Sequence, residues 1–214
     1  MKENAWLKKN LAYTWENKVN SDWIINDLKI TKKDIVLDVG CGNGAHLNDI
    51  QEKTNARCIG VDIREDLFKL NKNKRVKLLY SDMRDLKIKD NSITKLFSLG
   101  VFEHVPETDK VFSEVYRVLQ KGGKVLFTVP NKISWFHVTK KIKQAFGLWD
   151  IGYEAGFTIK QLNYMLKRQG LRIEREYIMP HEKISNPFNW MDNLLNRLNN
   201  HKFGFFIKAI AFKI

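Results

Sequence analysis

Cysteine is scarce in this chain of 214 residues: Cys41 and Cys58 stand alone, with no CxxC pair and no histidine-rich spacing around them. That excludes a disulfide framework and the common zinc spacings, so two small buried thiols in a reducing compartment are expected, with no metal site. No run of eighteen apolar residues exists, which excludes a transmembrane helix of ordinary length. The opening MKENAWLKKN mixes charge and amide with its apolar residues and forms no signal-peptide core, so a soluble, cytoplasmic protein is expected. A P-loop is excluded because no glycine-lysine-serine/threonine ending occurs. Repeats and low-complexity segments are absent as well.

What the chain has in excess is positive charge, a net +13 with a pI near 9.6. Clustered lysines and arginines would point to phosphate neutralisation. Here they are spread along the whole length among many Asn and Ile residues, a composition that an AT-rich genome yields without any ligand. None of the recognisable nucleic-acid modules occurs, so nucleic acid is not the expected partner and most of the charge reads as solvated surface. With 43% hydrophobic and 29% charged residues, the chain suits one globular domain with one sizeable core.

From Ile35 to Pro130, short β-branched runs alternate with helical patterns, the signature of βαβ units and a parallel sheet. Strands are expected over Ile35–Val39, Arg57–Val61, Val76–Tyr80, Thr94–Leu99 and Lys124–Val129, with helices over Ala45–Lys53, Glu65–Leu70 and Thr108–Gln120. Pro106 and Glu107 open the last helix, and Gly122-Gly123 is expected to stop it. Leu7, Leu11, Trp15, Val19 and Trp23 recur at near-helical spacing ahead of this region. After it, 131–170 reads as mostly helical, Leu171–Tyr177 and Phe205–Ile214 as strands, and Trp190–Leu198 as a helix between them. The chain thus divides into a helical cap over 1–33, a core over 34–130, a helical insertion or lid over 131–170, and final strands and a helix over 171–214.

The stretch Ile35 to Gly44, IVLDVGCGNG, begins as a buried strand and ends in three glycines at alternate positions. Glycine there lets the backbone take positive φ and lets a bulky ligand approach the main chain. In an open parallel sheet, ligands bind beyond the carboxyl ends of the strands. Gly40, Gly42 and Gly44 follow the first strand, Asp62 ends the second, Asp82 follows the third, and Ser98-Leu99-Gly100 ends the fourth. Two carboxylates on successive strand ends can accept hydrogen bonds from a ribose diol and an adenine amine. A dinucleotide dehydrogenase would share strand, glycines and acid, but its fingerprint is GxGxxG, whereas GCGNG is followed here by Ala45 and His46.

These residues resemble the class I S-adenosylmethionine (SAM)-dependent methyltransferases, in the group with an EHV-type motif after the fourth strand. VLDVGCGNG, VDI, SDMRDL, LFSLGVFEHVPE and GGKVLFTVPN match successive family motifs over about 34–130. FTIKQLNYMLKRQGLRIER and the terminal AIAFK resemble the family's later helix and strands more loosely. The resemblance implies an α/β fold: a Rossmann-like seven-stranded sheet, mostly parallel with an antiparallel last strand, and helices on both faces. It implies SAM as cofactor and S-adenosylhomocysteine as product. Asp62 would then bind the ribose hydroxyls, Ile63 and Met83 would pack on the adenine, and Asp82 would accept from its amine. Gly40 and Leu99 carbonyls would hold the methionine amine, Gly42 would admit the ligand, and Asp38 would orient the loop or reach that amine.

A sulfonium methyl is already activated, so the protein mainly holds a nucleophile in line and excludes water. A base is needed only for a protonated nucleophile, and His104 in FEHVP is the candidate. The alternative for His104 is a helix-start residue bonded to backbone, and Glu103 reads as structural. Tyr13, Trp15, Trp135, Trp149 and Tyr153 are candidate substrate contacts outside the shared core, which points to an apolar, small-molecule or lipid-like acceptor. Trp135, Val138, Ile142, Phe146 and Trp149 fall on one helical face, with Lys140, Lys141, Lys143 and Gln144 on the other. That helix is either a lid over the pocket or a peripheral contact with an anionic membrane. An RNA methyltransferase and a non-catalytic SAM-binding protein are the alternative functions.

Overall fold

The aliphatic run Ile35–Val39 forms strand β1, buried over four of its five residues as a central parallel strand must be. The structure is a computed structural model that describes residues 19–148, 153–179 and 204–214. In chain order it contains helix α1 (Asp22–Leu28), β1, α2 (Ala45–Thr54), β2 (Arg57–Asp62), a 3-10 turn (Glu65–Leu70), β3 (Lys77–Tyr80), β4 (Ile93–Leu99), a second 3-10 turn (Phe102–His104) and α3 (Thr108–Val118). β5 (Leu119–Pro130), α4 (Trp135–Ala145), α5 (Ile159–Arg168), β6 (Leu171–Met179) and β7 (Phe206–Lys213) follow. The strands form one seven-stranded sheet in the order β3-β2-β1-β4-β5-β7-β6. Only β7 runs against the rest, inserted between β5 and β6, as the resemblance implies.

Alternation along the central strands sends successive side chains to opposite faces and so builds two half-cores. Leu37, Val125 and Phe127 pack on one side with Val111, Phe112 and Val115 of α3 and Leu162 and Leu166 of α5. Val36, Phe97, Leu126 and Ile210 pack on the other with Ile24 and Leu28 of α1 and Leu47 and Ile50 of α2. Phe102, Phe112 and Phe127 form a triangle with ring centroids 5.5 to 5.8 Å apart. Because Phe102 follows β4, this cluster fixes the loop that leads into the candidate site.

Two elements depart from expectation. The helix expected to run to Gln120 ends at Val118, and β5 begins at Leu119, five residues before Lys124. Tertiary contacts take over the helix end: Asn91 and Ser92 donate their N–H groups to the Arg117 and Val118 carbonyls, and Leu119 pairs with Ile93. Lys213 Nζ donates to the Tyr116 and Leu119 carbonyls at 2.7 and 2.8 Å, so a cation from the last strand caps the helix. Gly122-Gly123 then serves inside the strand, where a Cβ on Gly123 would stand 2.8 Å from the Gln120 carbonyl. The N-terminal helical spacing is seen only in α1, since Leu7, Leu11 and Trp15 lie outside the described residues, as does the helix expected over Trp190–Leu198.

Phe112→Ala should therefore cost about 3 to 5 kcal/mol, the usual range for a buried Phe truncated without collapse of its surroundings. Urea unfolding reads this directly, and a cost below about 1 kcal/mol would show that the aromatic triangle does not hold the β4 loop in place.

Candidate functional site

The sheet order turns back at β1, whose neighbours β2 and β4 carry the chain in opposite directions across the sheet. Such a switch point opens a crevice beyond the carboxyl ends. Gly40, Gly42 and Gly44 all have positive φ, at 83°, 54° and 77°. Gly40 also lacks room: a Cβ would stand 2.5 Å from the Val101 side chain. At Gly42 the nearest atom to a Cβ would be Leu67 Cδ1 at 3.9 Å, an ordinary contact, so the positive φ and not crowding by the protein is what favours glycine there. The loop is laced to β2, with Gly40 N–H and Cys41 N–H donating to the Val61 carbonyl at 2.8 and 3.1 Å. Gly42 N–H donates to Asp62 Oδ2 at 2.7 Å, while Arg64 N–H donates to Asp62 Oδ1 at 2.9 Å.

A cavity of about 360 Å³ opens at this point, within the usual range for a small-molecule site. Of the expected cofactor residues, Gly40, Gly42, Asp62, Ile63 and Met83 line it. Asp38 and Leu99 sit on the strands behind it and do not form its wall. Burial, and then the charge of Asp62, push the Asp38 carboxyl well above the usual carboxylate range. Asp82, between the lining residues Ser81 and Met83, is not itself part of the wall; Arg84 grips both its oxygens at 2.6 to 3.2 Å and holds its carboxyl below the ordinary value. Arg84 also reaches Glu107 at 3.3 Å. Cys41 and Cys58 are buried, and burial pushes the Cys58 thiol up to about 12, so neither is poised as a nucleophile. Among the described residues no cluster suited to a metal ion occurs.

His104 lines the same cavity. Its Nδ1 stands 3.0 Å from the Tyr153 carbonyl. A carbonyl only accepts, so Nδ1 carries a proton and the neutral ring keeps its lone pair on Nε2. His104 is thus bonded to backbone through Nδ1, as the structural alternative expects. Tyr153 contributes its main chain to this arrangement, and its side chain is 54% exposed. Trp135 opens α4, but its side chain is outside the description; Tyr13, Trp15 and Trp149 lie outside the described residues altogether. Val101, Arg64, Leu67, Ser81 and Val105 complete much of the wall and are not predicted from sequence. Their signal was positional, since each follows a strand end that the sheet order brings to the crevice.

Glu103 is buried beneath the site, and its Oε2 has no hydrogen-bond partner. Burial, reinforced by the charge of Glu154, pushes its carboxyl up to about 8, against the opposing pull of Lys140. Lys140 and Glu154 form a buried ion pair at 3.1 Å, and Ala155 N–H donates to the Glu103 carbonyl at 2.8 Å. The segment from Tyr153 to Ala155 therefore clamps the Phe102–His104 turn through consecutive contacts.

With this geometry in place, comparison with known proteins is informative. A family model described as a methyltransferase domain matches residues 37–127. Phosphoethanolamine N-methyltransferase 2 of Caenorhabditis elegans is 29% identical over 138 residues, 56% of this chain and 32% of that protein. A sterol 4-C-methyltransferase of the same organism is 25% identical over 194 residues, 87% of this chain and 54% of that protein. This chain thus spans about a third to a half of the length of these relatives. The structure of Haemonchus contortus phosphoethanolamine N-methyltransferase 2 in complex with SAM superimposes with a TM-score of 0.69 at 19% identity, covering 94% of this chain and 55% of that one.

The raised Glu103 carboxyl has a consequence for stability with a definite sign. Between about 4.5 and 8 the unfolded chain releases this proton while the folded chain keeps it, so its contribution to stability falls as pH rises. Glu103→Gln should lose that dependence, and its stability relative to wild type should improve from pH 5 to pH 8 by at most about 1.4 kcal/mol per pH unit. Parallel denaturation curves at the two pH values for both proteins would contradict a protonated Glu103.

Proposed function

The chain carries a methyltransferase domain of the class I, SAM-dependent family, and from that premise we propose that it transfers the methyl group of SAM to a small-molecule or lipid-like acceptor. The observation that carries this reading is the convergence of the glycine loop, Asp62 and His104 on one cavity. The cavity suits the cofactor: Gly42 lines it with main chain alone, Ile63 and Met83 offer apolar walls, and Asp62 offers a carboxylate. The Asp62 carboxylate makes the cavity favourable for a cation, which SAM is at both its sulfonium and its ammonium. Bound SAM supplies a methyl group that needs no further activation.

The chain's own residues then bind, orient and move a proton. Asp62, whose two oxygens each keep a lone pair beyond the Gly42 and Arg64 N–H bonds, would accept the ribose hydroxyls while held by those bonds, and Asp82 would have to share or release Arg84 to meet the adenine amine. His104, held through Nδ1, presents Nε2 to a protonated nucleophile such as a hydroxyl or carbon acid. The relatives that act on phosphoethanolamine and on sterols support a small-molecule or lipid acceptor and leave its identity open.

Asp62→Ala should weaken SAM and S-adenosylhomocysteine at least tenfold by calorimetry, since bonds to a charged acceptor contribute about 1.5 to 3 kcal/mol. Unchanged affinity would remove Asp62 from the binding site. Isotopic methyl transfer from SAM to components of a cell extract, followed by mass spectrometry, tests the activity itself; saturable SAM binding with no S-adenosylhomocysteine formed would leave a non-catalytic binder. For a protonated acceptor, His104→Ala should lower turnover about 10²- to 10⁴-fold with SAM affinity nearly unchanged. Normal turnover with a lowered melting temperature would assign His104 a packing role instead.

A further inference from the structure

In its described side chains helix α4 departs from an ordinary surface helix, which turns apolar residues inward and lysines outward. Among its described side chains the one turned inward is Lys140, only 2% exposed and paired with Glu154, 8% exposed. Its outward stripe is apolar: Val138, Ile142 and the following Phe146 are 43%, 52% and 74% exposed. Lys140 therefore cannot face phosphates, contrary to the sequence expectation. The roll of the helix is set by this ion pair and by Ser134, whose side chain caps the His137 N–H. Rotation that buried the stripe would strip Lys140 of its partner and expose it to apolar surroundings, a costly exchange.

The helix stops with Gly147 in the left-handed region, where Gly147 N–H bonds the Gln144 carbonyl and Leu148 N–H the Lys143 carbonyl. This Schellman ending continues the patch with Leu148, 70% exposed. At about 100° per residue, Lys141 and Lys143 fall about 60° outside the apolar stripe, one on each border. Both are exposed. Residues 131–148 hold four lysines and no acidic residue.

We propose that α4 and its Leu148 extension seat the protein on an anionic lipid surface, with Val138, Ile142, Phe146 and Leu148 in the interface and Lys141 and Lys143 reaching the phosphates on either side. The charge selects this occupant. A second copy of the chain would bring like-charged lysines together across the patch, at a net charge of +13 per molecule. An apolar centre bordered by lysines with long aliphatic stems is the pattern of an interfacial helix, whose cations reach headgroups while its apolar side chains enter the acyl boundary. Among the described residues no helix is long and apolar enough to cross a membrane. The docking stands independently of the methyl-transfer reading.

Co-sedimentation of the full chain with phosphatidylcholine vesicles, with and without phosphatidylglycerol, tests the proposal. The protein should pellet with the anionic vesicles at low salt, be released as salt rises, and ignore pure phosphatidylcholine. Lys141→Glu/Lys143→Glu and Ile142→Asp/Phe146→Asp should each weaken partitioning at least tenfold, since one lysine near an anionic surface is worth about a fivefold change. Calorimetric SAM affinity equal to wild type would confirm that the variants are folded, and its loss in the wild type would fail the function reading without touching this one. No sedimentation at low salt, sedimentation indifferent to both double variants, or a dimer in light scattering that Ile142→Asp/Phe146→Asp abolishes would each overturn the lipid contact.

Discussion

The hydrogen bond from Gly42 N–H to Asp62 at 2.7 Å joins the two strand ends on which the candidate site is built. It does so together with the paired donations from Gly40 and Cys41 to the Val61 carbonyl. These bonds demand that the loop turn its N–H groups toward β2, and only left-handed backbone at Gly40 and Gly42 accomplishes that within so short a span. Val101, arriving from β4, closes the other side and fills the space that a Cβ on Gly40 would need. The cavity is thus a product of three strand ends held together, and its floor is partly main chain. A carboxylate that already accepts main-chain donors is positioned before any ligand arrives, which lowers the ordering cost of binding.

The buried polar cluster around Lys140, Glu154 and Glu103 does a different kind of work. A buried ion pair contributes little net stability once its desolvation is counted, and the unpartnered Glu103 Oε2 adds a cost of its own. What the cluster supplies is position. It holds the Tyr153–Ala155 segment against the Phe102–His104 turn, which orients the imidazole through the Tyr153 carbonyl. The same ion pair directs the apolar stripe of α4 outward. One interior contact therefore governs both the candidate base and the proposed lipid-facing surface.

Period and punctuation in the sequence sufficed to place β1 to β4 within a residue or so, and IVLDVGCGNG together with VDI sufficed to mark the crevice. The reason is local: alternation, β-branched runs and consecutive glycines express backbone preferences that neighbouring segments reinforce. The end of α3 was not local. Gly122-Gly123 looked like a helix stop, yet the Asn91 and Ser92 donors and the Lys213 cap end the helix sooner, and those partners come from remote parts of the chain.

Residue types and spacing by themselves determined that the glycine loop and Asp62 stand together at the carboxyl ends of a parallel sheet, beside a cavity. Only the tertiary structure decided that Arg84 occupies Asp82, that His104 Nδ1 bonds the Tyr153 carbonyl, and that Lys140 turns inward while Phe146 turns out. Periodicity identifies the two faces of a helix but not which of them meets the protein. That choice is made by a partner such as Glu154, fourteen residues further along, because rolling the helix away from it would leave a buried charge unpaired.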